Sequence, residues 1–381
     1  MVKREPGVYQ NSLIPPVYHT ATYVFQDTEE VLRFHEGGSE LGRYGRYHNP
    51  TWHEAEVQLA ELDRCEEALL FPSGMSAIST TLFGLLSAGD QLLYTNKGYR
   101  NIRRLCQDYV APSGVDVVGL DPADTDSFNA SLDEHMGERT KAILVEIPSN
   151  PHQHLVDLEY ICERKPDDAM LIVDSTFATP VNFQPKMFGA DLVLHSATKY
   201  MAGHADLMAG TVAGDSAVIS RLRTARDVIG SIPDANSAFL LTRSLATLPI
   251  RMAHLNSVGM EIAKYLNAHP RINNVLYTGL PDHPHHSLAQ RYLSGHGSVM
   301  CFDLDTDREG TSRFVDALEI PRMGTNFGST QSMVEQVSVF NNFSAVEAAE
   351  VGISDSTVRI YVGFEDLDDL VADIERALVH I

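Results

Sequence analysis

Between residues 53 and 245 the sequence alternates short, continuously apolar runs with longer stretches of helical character. Strands that are buried on both faces have continuous apolar sequences, and helices between successive strands make those strands parallel. This pattern predicts an α/β fold in which a mostly parallel seven-stranded sheet is flanked by helices. The runs are ALLFPS (68–73), QLLYT (91–95), VDVVGL (115–120), AILVEI (142–147), MLIVDS (170–175), LVLHSA (192–197) and GTVAG (210–214).

The sequence on either side of this region has a different character. Residues 1–52 are irregular and rich in tyrosine and proline, which predicts an N-terminal arm, and residues 53–245 form the main domain. After residue 246 a long amphipathic stretch is followed by alternating segments at 298–304 and 356–364 and by a terminal helical pattern. We therefore expect residues 246–381 to form a smaller α+β domain.

Charge and cysteine content limit the partners and the compartment. A formal net charge of −22 would repel nucleic acids and anionic membranes, so a small-molecule partner is expected. No apolar run approaches the roughly 18 residues that a membrane span requires. The four cysteines are widely spaced, form no CxxC pair and follow no secretory signal, which predicts a cytoplasmic protein.

Polar side chains follow several of the predicted strands where each strand ends. Asn150 follows AILVEI, Asp174 is the penultimate residue of MLIVDS, and Lys199 follows LVLHSA, while ALLFPS leads through Gly74 into a helix. Active sites of open α/β sheets form beyond the carboxyl ends of the strands. A lysine that can form a Schiff base, a carboxylate for a pyridinium nitrogen and a helix N-terminus for a phosphate are what pyridoxal phosphate (PLP) requires.

Five motifs, distributed over nearly the whole chain, resemble one family of PLP enzymes. They are YGRYHNPT (44–51), FPSGMSAI (71–78), VDSTFATP (173–180), HSATKY (195–200) and RSLATLPIRM (243–252). The resemblance is to the Cys/Met-metabolism, or trans-sulfuration, family. It implies the PLP-dependent aminotransferase type I fold and a homotetramer built as a dimer of dimers.

The resemblance implies a role for each site residue. Lys199 binds PLP and moves protons, Asp174 pairs with the pyridine nitrogen, Tyr99 stacks on the ring and assists the leaving group, and Arg359 binds the substrate α-carboxylate. The other cofactor contacts that it implies are Asn150 at the phenolic oxygen, Gly74, Met75, Ser196 and Thr198 at the phosphate, Thr176 beside Asp174, and Tyr44 and Arg46 from a neighbouring subunit.

Two stretches depart from the pattern that the resemblance leads us to expect. The stacking tyrosine is usually followed by glycines, whereas here Arg100, Asn101 and Ile102 follow Tyr99. Near the substrate, Thr325 and Asn326 replace the usual glutamate and serine. The missing glutamate argues against cystathionine as substrate, because the distal amino group of cystathionine needs an anionic partner.

The expected reaction is γ-elimination or γ-replacement on a γ-substituted L-amino acid, through a vinylglycine-type intermediate. A homoserine ester, a methionine-like thioether or a related C4–C5 amino acid would be the substrate. The alternatives are β-elimination from a cystathionine-like thioether and a non-catalytic PLP-fold binding protein. An NAD-dependent dehydrogenase is disfavoured because no GxGxxG follows a strand.

The histidine-rich segment DHPHH, residues 282–286, superficially resembles a metal-ligand cluster. No histidine or cysteine follows at the spacing of a metal site. We therefore expect no metal, and interpret this segment as a solvated loop interrupted by proline.

Overall fold

In a computed structural model, which describes residues 12–37, 43–343, 347–348 and 351–381, seven strands form the larger sheet. They are β1 (Glu67–Phe71), β2 (Gln91–Thr95), β3 (Asp116–Leu120), β4 (Thr140–Glu146), β5 (Met170–Asp174), β6 (Leu192–His195) and β7 (Gly210–Gly214). Their order is β1-β7-β6-β5-β4-β2-β3, and β7 is antiparallel to both of its neighbours. The other pairs are parallel, which confirms the predicted mostly parallel sheet.

Helices cover both faces of this sheet. On one face, α3 (Gly74–Leu85) and α8 (Ser216–Ile229) pack against the strands, and on the other, α5 (Thr125–His135) and α6 (Leu158–Cys162) do so. Side-chain oxygens satisfy the free N–H groups at several helix starts, as Ser73 does for Ser76 N. The remaining helices of this half are α1 (Thr28–His35), α2 (Pro50–Asp63), α4 (Arg100–Leu105), α7 (Thr179–Asn182) and α9 (Ala235–Leu245).

A second sheet lies in the C-terminal part of the chain, in the order β10-β11-β12-β9-β8. Its strands are β8 (Ile272–Leu276), β9 (Val299–Leu304), β10 (Arg322–Met323), β11 (Met333–Gln336) and β12 (Thr357–Tyr361). The accompanying helices are α10 (Leu248–Ala268), α11 (His286–Tyr292), α12 (Arg308–Ala317), α13 (Val337–Phe340) and α14 (Leu367–Leu378). This sheet and its helices form the smaller α+β unit, whereas the boundaries at residues 52 and 245 stay predictions.

One hydrophobic cluster joins the two sheets. It contains Leu59 of α2, Leu241 of α9 and Met252 of α10, together with Val299 and Tyr361 of the smaller sheet. Burial of such side chains contributes roughly 1.5–3 kcal/mol each. The cluster therefore holds the smaller sheet firmly against the carboxyl edge of the larger one. No helix in the described ranges combines the length and apolar character that crossing a membrane requires.

The described part of the N-terminal segment is less irregular than the sequence indicates, since it contains α1, although α1 has no buried residue. Two hydrogen bonds attach the segment to the start of α2: Tyr18 N donates to Thr51 Oγ1 at 2.8 Å, and Asn49 Nδ2 donates to Tyr18 O at 2.8 Å. Large apolar side chains elsewhere in it, such as Leu13 and Val24, are more than four-fifths exposed.

Candidate active site

A cavity of about 530 Å³ lies at the carboxyl ends of β1, β2, β4, β5 and β6, facing the smaller sheet. These ends meet at one edge because the five strands run in the same direction. Most of the site residues predicted from the sequence line this cavity: Gly74, Met75, Tyr99, Asn150, Asp174, Thr176, Ser196, Thr198, Lys199, Thr325 and Arg359.

The Lys199 amine, four residues beyond the end of β6, has two close neighbours from the C-terminal part of the chain. Nζ donates to Asn326 Oδ1 at 3.0 Å and lies 4.9 Å from the centre of the Phe327 ring. Burial, and secondarily the positive charge of Arg359, lowers the pKa of Lys199 to about 8. The neutral, nucleophilic fraction of this amine near physiological pH is therefore much larger than that of an ordinary lysine, although the charged form still predominates.

Asp174 ends β5 and is almost fully buried. Its Oδ1 accepts two hydrogen bonds from Thr176, from Oγ1 at 2.5 Å and from N at 3.0 Å. Burial raises the pKa of Asp174, while the Thr176 bonds and the nearby His195 oppose that rise. The buried His195 is itself paired with Asp63 at 2.9 Å, which keeps its pKa above the ordinary value despite the opposing effect of burial.

The start of α3 forms a narrow cradle beside Lys199. The first N–H groups of any helix have no acceptor within that helix. At the start of α3, Ser73 Oγ accepts only the N–H group of Ser76, at 3.1 Å. A Cβ at Gly74 would lie 2.8 Å from Ser196 Cβ, and one at Gly210 would overlap the backbone of Ser73. The backbone N–H groups of Gly74 and Met75 thus meet the Ser196 side chain in a space suited to a phosphate.

Thr198 has a structural contact that its predicted role does not include. Its hydroxyl donates to Ala209 O at 3.2 Å and accepts from Ala209 N at 3.0 Å. These bonds connect the loop that carries Lys199 to the start of β7.

Arg359 on β12 is buried among polar groups. Its guanidinium donates to Glu335 Oε1 and to Asn150 Oδ1, and the Tyr361 hydroxyl also donates to Glu335 Oε1, at 3.0 Å. Burial lowers the pKa of Arg359, but Tyr361 and Glu335 outweigh it, so the pKa lies above the ordinary value. Within the described part of the chain, the buried Nε of Arg359 has no hydrogen-bond partner.

Sequence reasoning missed two acidic residues of the site: Glu146, which lines the cavity, and Glu335, which is fully buried behind Arg359. Glu146 ends β4 and accepts the backbone N–H groups of Tyr99 and Asn150. Its position at a strand end, like that of Asp174, was a signal that could have identified it. Glu335 could not have been found in this way, because it faces Arg359 only through the antiparallel register of β11 and β12.

Tyr44 and Arg46 do not lie in the cavity of their own chain. They line a second cavity of about 400 Å³, next to Trp52 and Pro233. Arg46 Nη1 donates to Asp227 O, and its guanidinium lies 4.6 Å from the centre of the Tyr47 ring.

Residues 282–285 form a loop as expected, with Asp282 and Pro284 exposed, but the expectation of a solvated segment is wrong for His283 and His285, which are each only 3% exposed. The backbone satisfies both rings: His285 accepts from Leu155 N at 2.7 Å, and His283 lies 3.1 Å from His152 O. Burial of these imidazoles therefore leaves no ring nitrogen unpaired. Among the described residues, no three histidine, cysteine, aspartate or glutamate side chains are grouped so as to hold a metal ion.

The family model described as "Cys/Met metabolism PLP-dependent enzyme" matches residues 2–379. The chain belongs to this family. The resemblance predicted from the motifs is confirmed, and with it PLP as the cofactor. The chain is thus a PLP-dependent enzyme, and the donor set around Lys199, Asp174 and Gly74 fits that cofactor.

Individual members of the family resemble the whole chain. Cystathionine gamma-synthase 1, chloroplastic, of Arabidopsis thaliana is 37% identical over 98% of this chain, which spans 66% of that protein's length. L-methionine gamma-lyase of Pseudomonas putida is 33% identical over 98% of this chain and 94% of that protein's length. O-succinylhomoserine sulfhydrylase of Pseudomonas aeruginosa is 36% identical over 95% of this chain and 90% of that protein's length.

A solved structure of the family has the same fold. The crystal structure of cystathionine gamma synthase from Xanthomonas oryzae pv. oryzae in complex with cystathionine superposes with a TM-score of 0.90 at 30% identity, covering 98% of this chain and 96% of that one. The predicted fold class is confirmed.

Proposed function

We propose that this enzyme catalyses γ-elimination or γ-replacement on a γ-substituted L-amino acid. The observation that carries the proposal is one cavity in which the Lys199 amine, with a pKa of about 8, lies close to Arg359, an arginine suited to an α-carboxylate. Relatives named cystathionine gamma-synthase and L-methionine gamma-lyase support chemistry at the γ-carbon. The candidate substrates are homoserine esters, methionine-like thioethers and related C4–C5 amino acids.

The residues of the large sheet hold the cofactor in this proposal. Lys199 binds it covalently, Asp174 holds the ring nitrogen, and Asn150 contacts the phenolic oxygen. Gly74, Met75, Ser196 and Thr198 bind the phosphate. Because both of its donors go to Asp174, Thr176 acts through that carboxylate. When bound, PLP supplies an electron sink for the negative charge that develops at the substrate Cα.

Arg359 and Lys199 act on different parts of the substrate. A guanidinium has five N–H donors, and Glu335 and Asn150 each accept only one of them from the terminal nitrogens of Arg359, so Arg359 keeps donors for the substrate α-carboxylate. That contact orients the Cα–H and Cβ–H bonds toward the Lys199 amine. An amine with a pKa near 8 can accept and return protons at both carbons, and γ-elimination needs both deprotonations.

Tyr99 and two residues of the C-terminal part act on the other side of the substrate. Tyr99 is 42% exposed at the cavity, as expected of a ring that a cofactor would cover. Its hydroxyl assists departure of the γ-substituent. Thr325 and Asn326 are neutral, so they favour an ester or thioether over a substrate with a distal ammonium group, although Asn326 also contacts Lys199.

The assembly and the compartment complete the proposal. The exposed apolar side chains of the arm fit a cytoplasmic homo-oligomer, a dimer of dimers, in which Tyr44 and Arg46 reach the phosphate of an adjacent subunit. The cysteines, all free, fit a reducing compartment.

The test is a substrate panel with the PLP-loaded enzyme. O-acetylhomoserine, O-succinylhomoserine, methionine, cystathionine and halogenated or unsaturated C5 amino acids are each incubated with and without cysteine. Products are followed by mass spectrometry, with K199A as the inactive control. A homoserine ester or methionine that yields 2-oxobutyrate, or a new thioether when cysteine is present, supports the proposal.

Two outcomes contradict it. Pyruvate and homocysteine from cystathionine, without any product from the γ-substituted substrates, would indicate β-elimination. A PLP-loaded protein that turns over no member of the panel would favour the non-catalytic alternative.

A further inference from the structure

The Glu146 carboxyl connects two loops of the active-site cavity. Oε2 accepts Tyr99 N at 2.6 Å, and Oε1 accepts Asn150 N at 2.8 Å. Tyr99 follows β2 and Asn150 follows β4, so the two donors belong to separate loops. Each carboxyl oxygen therefore fixes one loop, and both loops carry residues with a role in the proposed function.

The packing around Glu146 leaves this carboxyl little freedom. Its side chain is only 7% exposed, and a Cβ added at Gly98 would overlap Oε2. Gly98 precedes Tyr99, so the absence of a side chain there lets the Tyr99 loop approach closely. The β4–β5 register places Glu146 directly beside Asp174.

Electrostatics distinguish the two neighbouring carboxyls. Burial and the charge of Asp174 raise the pKa of Glu146 to about 8, against the opposing effects of its two hydrogen bonds and of Arg359. Asp174 has two Thr176 donors and the nearby His195 to favour its charged form. The pair can thus carry a single negative charge, on Asp174, while Glu146 still accepts both N–H groups through its remaining lone pairs.

We propose that Glu146 is a positioning residue, which holds the Tyr99 ring and the Asn150 amide at a fixed separation across the active-site cavity. The proposal rests on the roles of Tyr99 and Asn150 in the proposed function. Loss of the carboxyl frees both loops at once, and misplacement of reacting groups by about 1 Å can cost roughly 100-fold in rate.

The test compares E146A and E146Q with the matched variant D373N. Asp373 is also a buried carboxyl that accepts backbone N–H groups, those of Glu319 and Ile320, but it lies outside the cavity. Hydrogen exchange of the Tyr99 and Asn150 amides is measured first, because this measurement does not depend on a substrate. We expect E146A to accelerate exchange at both amides and D373N to accelerate it only at residues 319–320.

The kinetic measurement follows on the PLP-loaded enzyme. We expect E146A to lower kcat roughly 10- to 100-fold with a smaller change in KM. E146Q keeps one acceptor oxygen, so its kcat should lie between those of E146A and the parent. Formate fits the space that the deleted side chain leaves and can accept both N–H groups, so it should restore part of the E146A rate, whereas chloride at equal ionic strength should not.

The inference is overturned if E146A exchanges its Tyr99 and Asn150 amides at the parental rate. It is also overturned if E146A loses activity only in proportion to its loss of folded protein, or if formate has no effect. A parent enzyme that turns over no substrate, combined with accelerated exchange at both amides in E146A, would instead contradict the proposed function and leave the link between the loops intact.

Discussion

Lys199 is subject to two opposing influences. The negative charge of Glu335 favours the charged form of the amine, whereas burial and, secondarily, the charge of Arg359 favour the neutral form. The amine also donates a hydrogen bond to the side-chain oxygen of Asn326. The net effect is a pKa of about 8, low enough for nucleophilic attack yet high enough for proton return. Asn326 therefore holds the amine in the cavity without preventing its deprotonation.

K199A should lose turnover while still binding PLP through the phosphate contacts. The parent should be yellow, and borohydride reduction followed by peptide mapping should locate the cofactor on Lys199. The control is K97A, because Lys97 also lines the cavity but forms an ion pair with Asp121 at 2.8 Å. K97A should remain yellow; reduction onto Lys97 instead would contradict the assignment.

R359A should weaken substrate binding by roughly 2–5 kcal/mol, because a buried carboxylate partner is removed. Its Tm should also fall, since Glu335 is left buried without its cation. Adding E335Q should recover stability but not binding, which separates the two effects. Substrate titration of the cofactor spectrum and thermal unfolding provide the measurements. Unchanged affinity in R359A would mean that the α-carboxylate binds elsewhere.

At the scale of elements, the segment after Tyr99, which lacks the glycines usual in the family, forms the first turn of α4. Arg100 connects that turn to the C-terminal part of the chain. Its guanidinium donates to Asn341 O at 3.1 Å, lies 3.8 Å from Glu347 and faces the Phe343 ring at 5.5 Å. Asn341 and Phe343 line the active-site cavity. Arg100 thus bridges two opposite walls of the site.

R100A should loosen this bridge and raise KM several-fold. The difference in kcat/KM between homoserine esters of different size should be smaller in R100A than in the parent. The matched control is R104A, which removes an exposed arginine of the same helix that pairs only weakly with Asp108, at 3.7 Å. Steady-state kinetics across the substrate panel provide the comparison. Equal effects of R100A and R104A would show that the bridge does not shape the site.

A second element-scale feature is the packing of the 282–286 segment against His152 and His154. The His154 ring stacks on His152 at 5.2 Å, and its Nδ1 is buried with no partner in the described chain. Burial lowers the pKa of His154 to about 2. The unfolded chain therefore binds a proton near pH 6.5 that the folded chain does not, so stability is full above that pH and decreases as the pH falls below it.

H154F keeps the ring shape and removes this titration. Between pH 6.5 and 5, the free energy of unfolding of H154F should decrease less steeply with falling pH than that of the parent. The difference between the two slopes should be roughly 1 kcal/mol per pH unit. Urea unfolding at a series of pH values measures the slope, and H135Q, at an exposed histidine, is the control. Parallel slopes for H154F and the parent would contradict the assigned cause.

At the scale of the whole molecule, one chain does not complete the proposed site, because Tyr44 and Arg46 lie in a separate cavity. In the proposed oligomer Arg46 reaches the phosphate of the adjacent subunit, which the α3 N-terminus already binds. Loss of Arg46 should therefore weaken PLP binding without abolishing catalysis.

Mixing K199A with R46A tests this arrangement. After subunit exchange, some sites combine an intact Lys199 with an intact Arg46, so activity should reappear at limiting PLP. Mass analysis confirms that mixed oligomers have formed. Mixed oligomers without a gain in activity would show that the arm serves its own subunit.

The sequence alone determined the features that depend on the order of residues along the chain. Continuous apolar runs predict the parallel sheet because a strand covered on both faces must be apolar. Parallel strands end at one edge, so the positions of Asp174 and Lys199 along the chain are enough to assign them to one site. The motifs around these residues then identified the family and its cofactor.

Contacts between distant segments were decided only by the tertiary structure. Glu335 meets Arg359 through strand register, and Arg100 meets Asn341 across 241 residues. His283 and His285 are buried although their sequence is polar, because backbone groups from remote segments satisfy their nitrogens. The physical reason is the same in each case: a side chain's burial, partner and pKa depend on which remote segments pack against it, and local sequence does not carry that information.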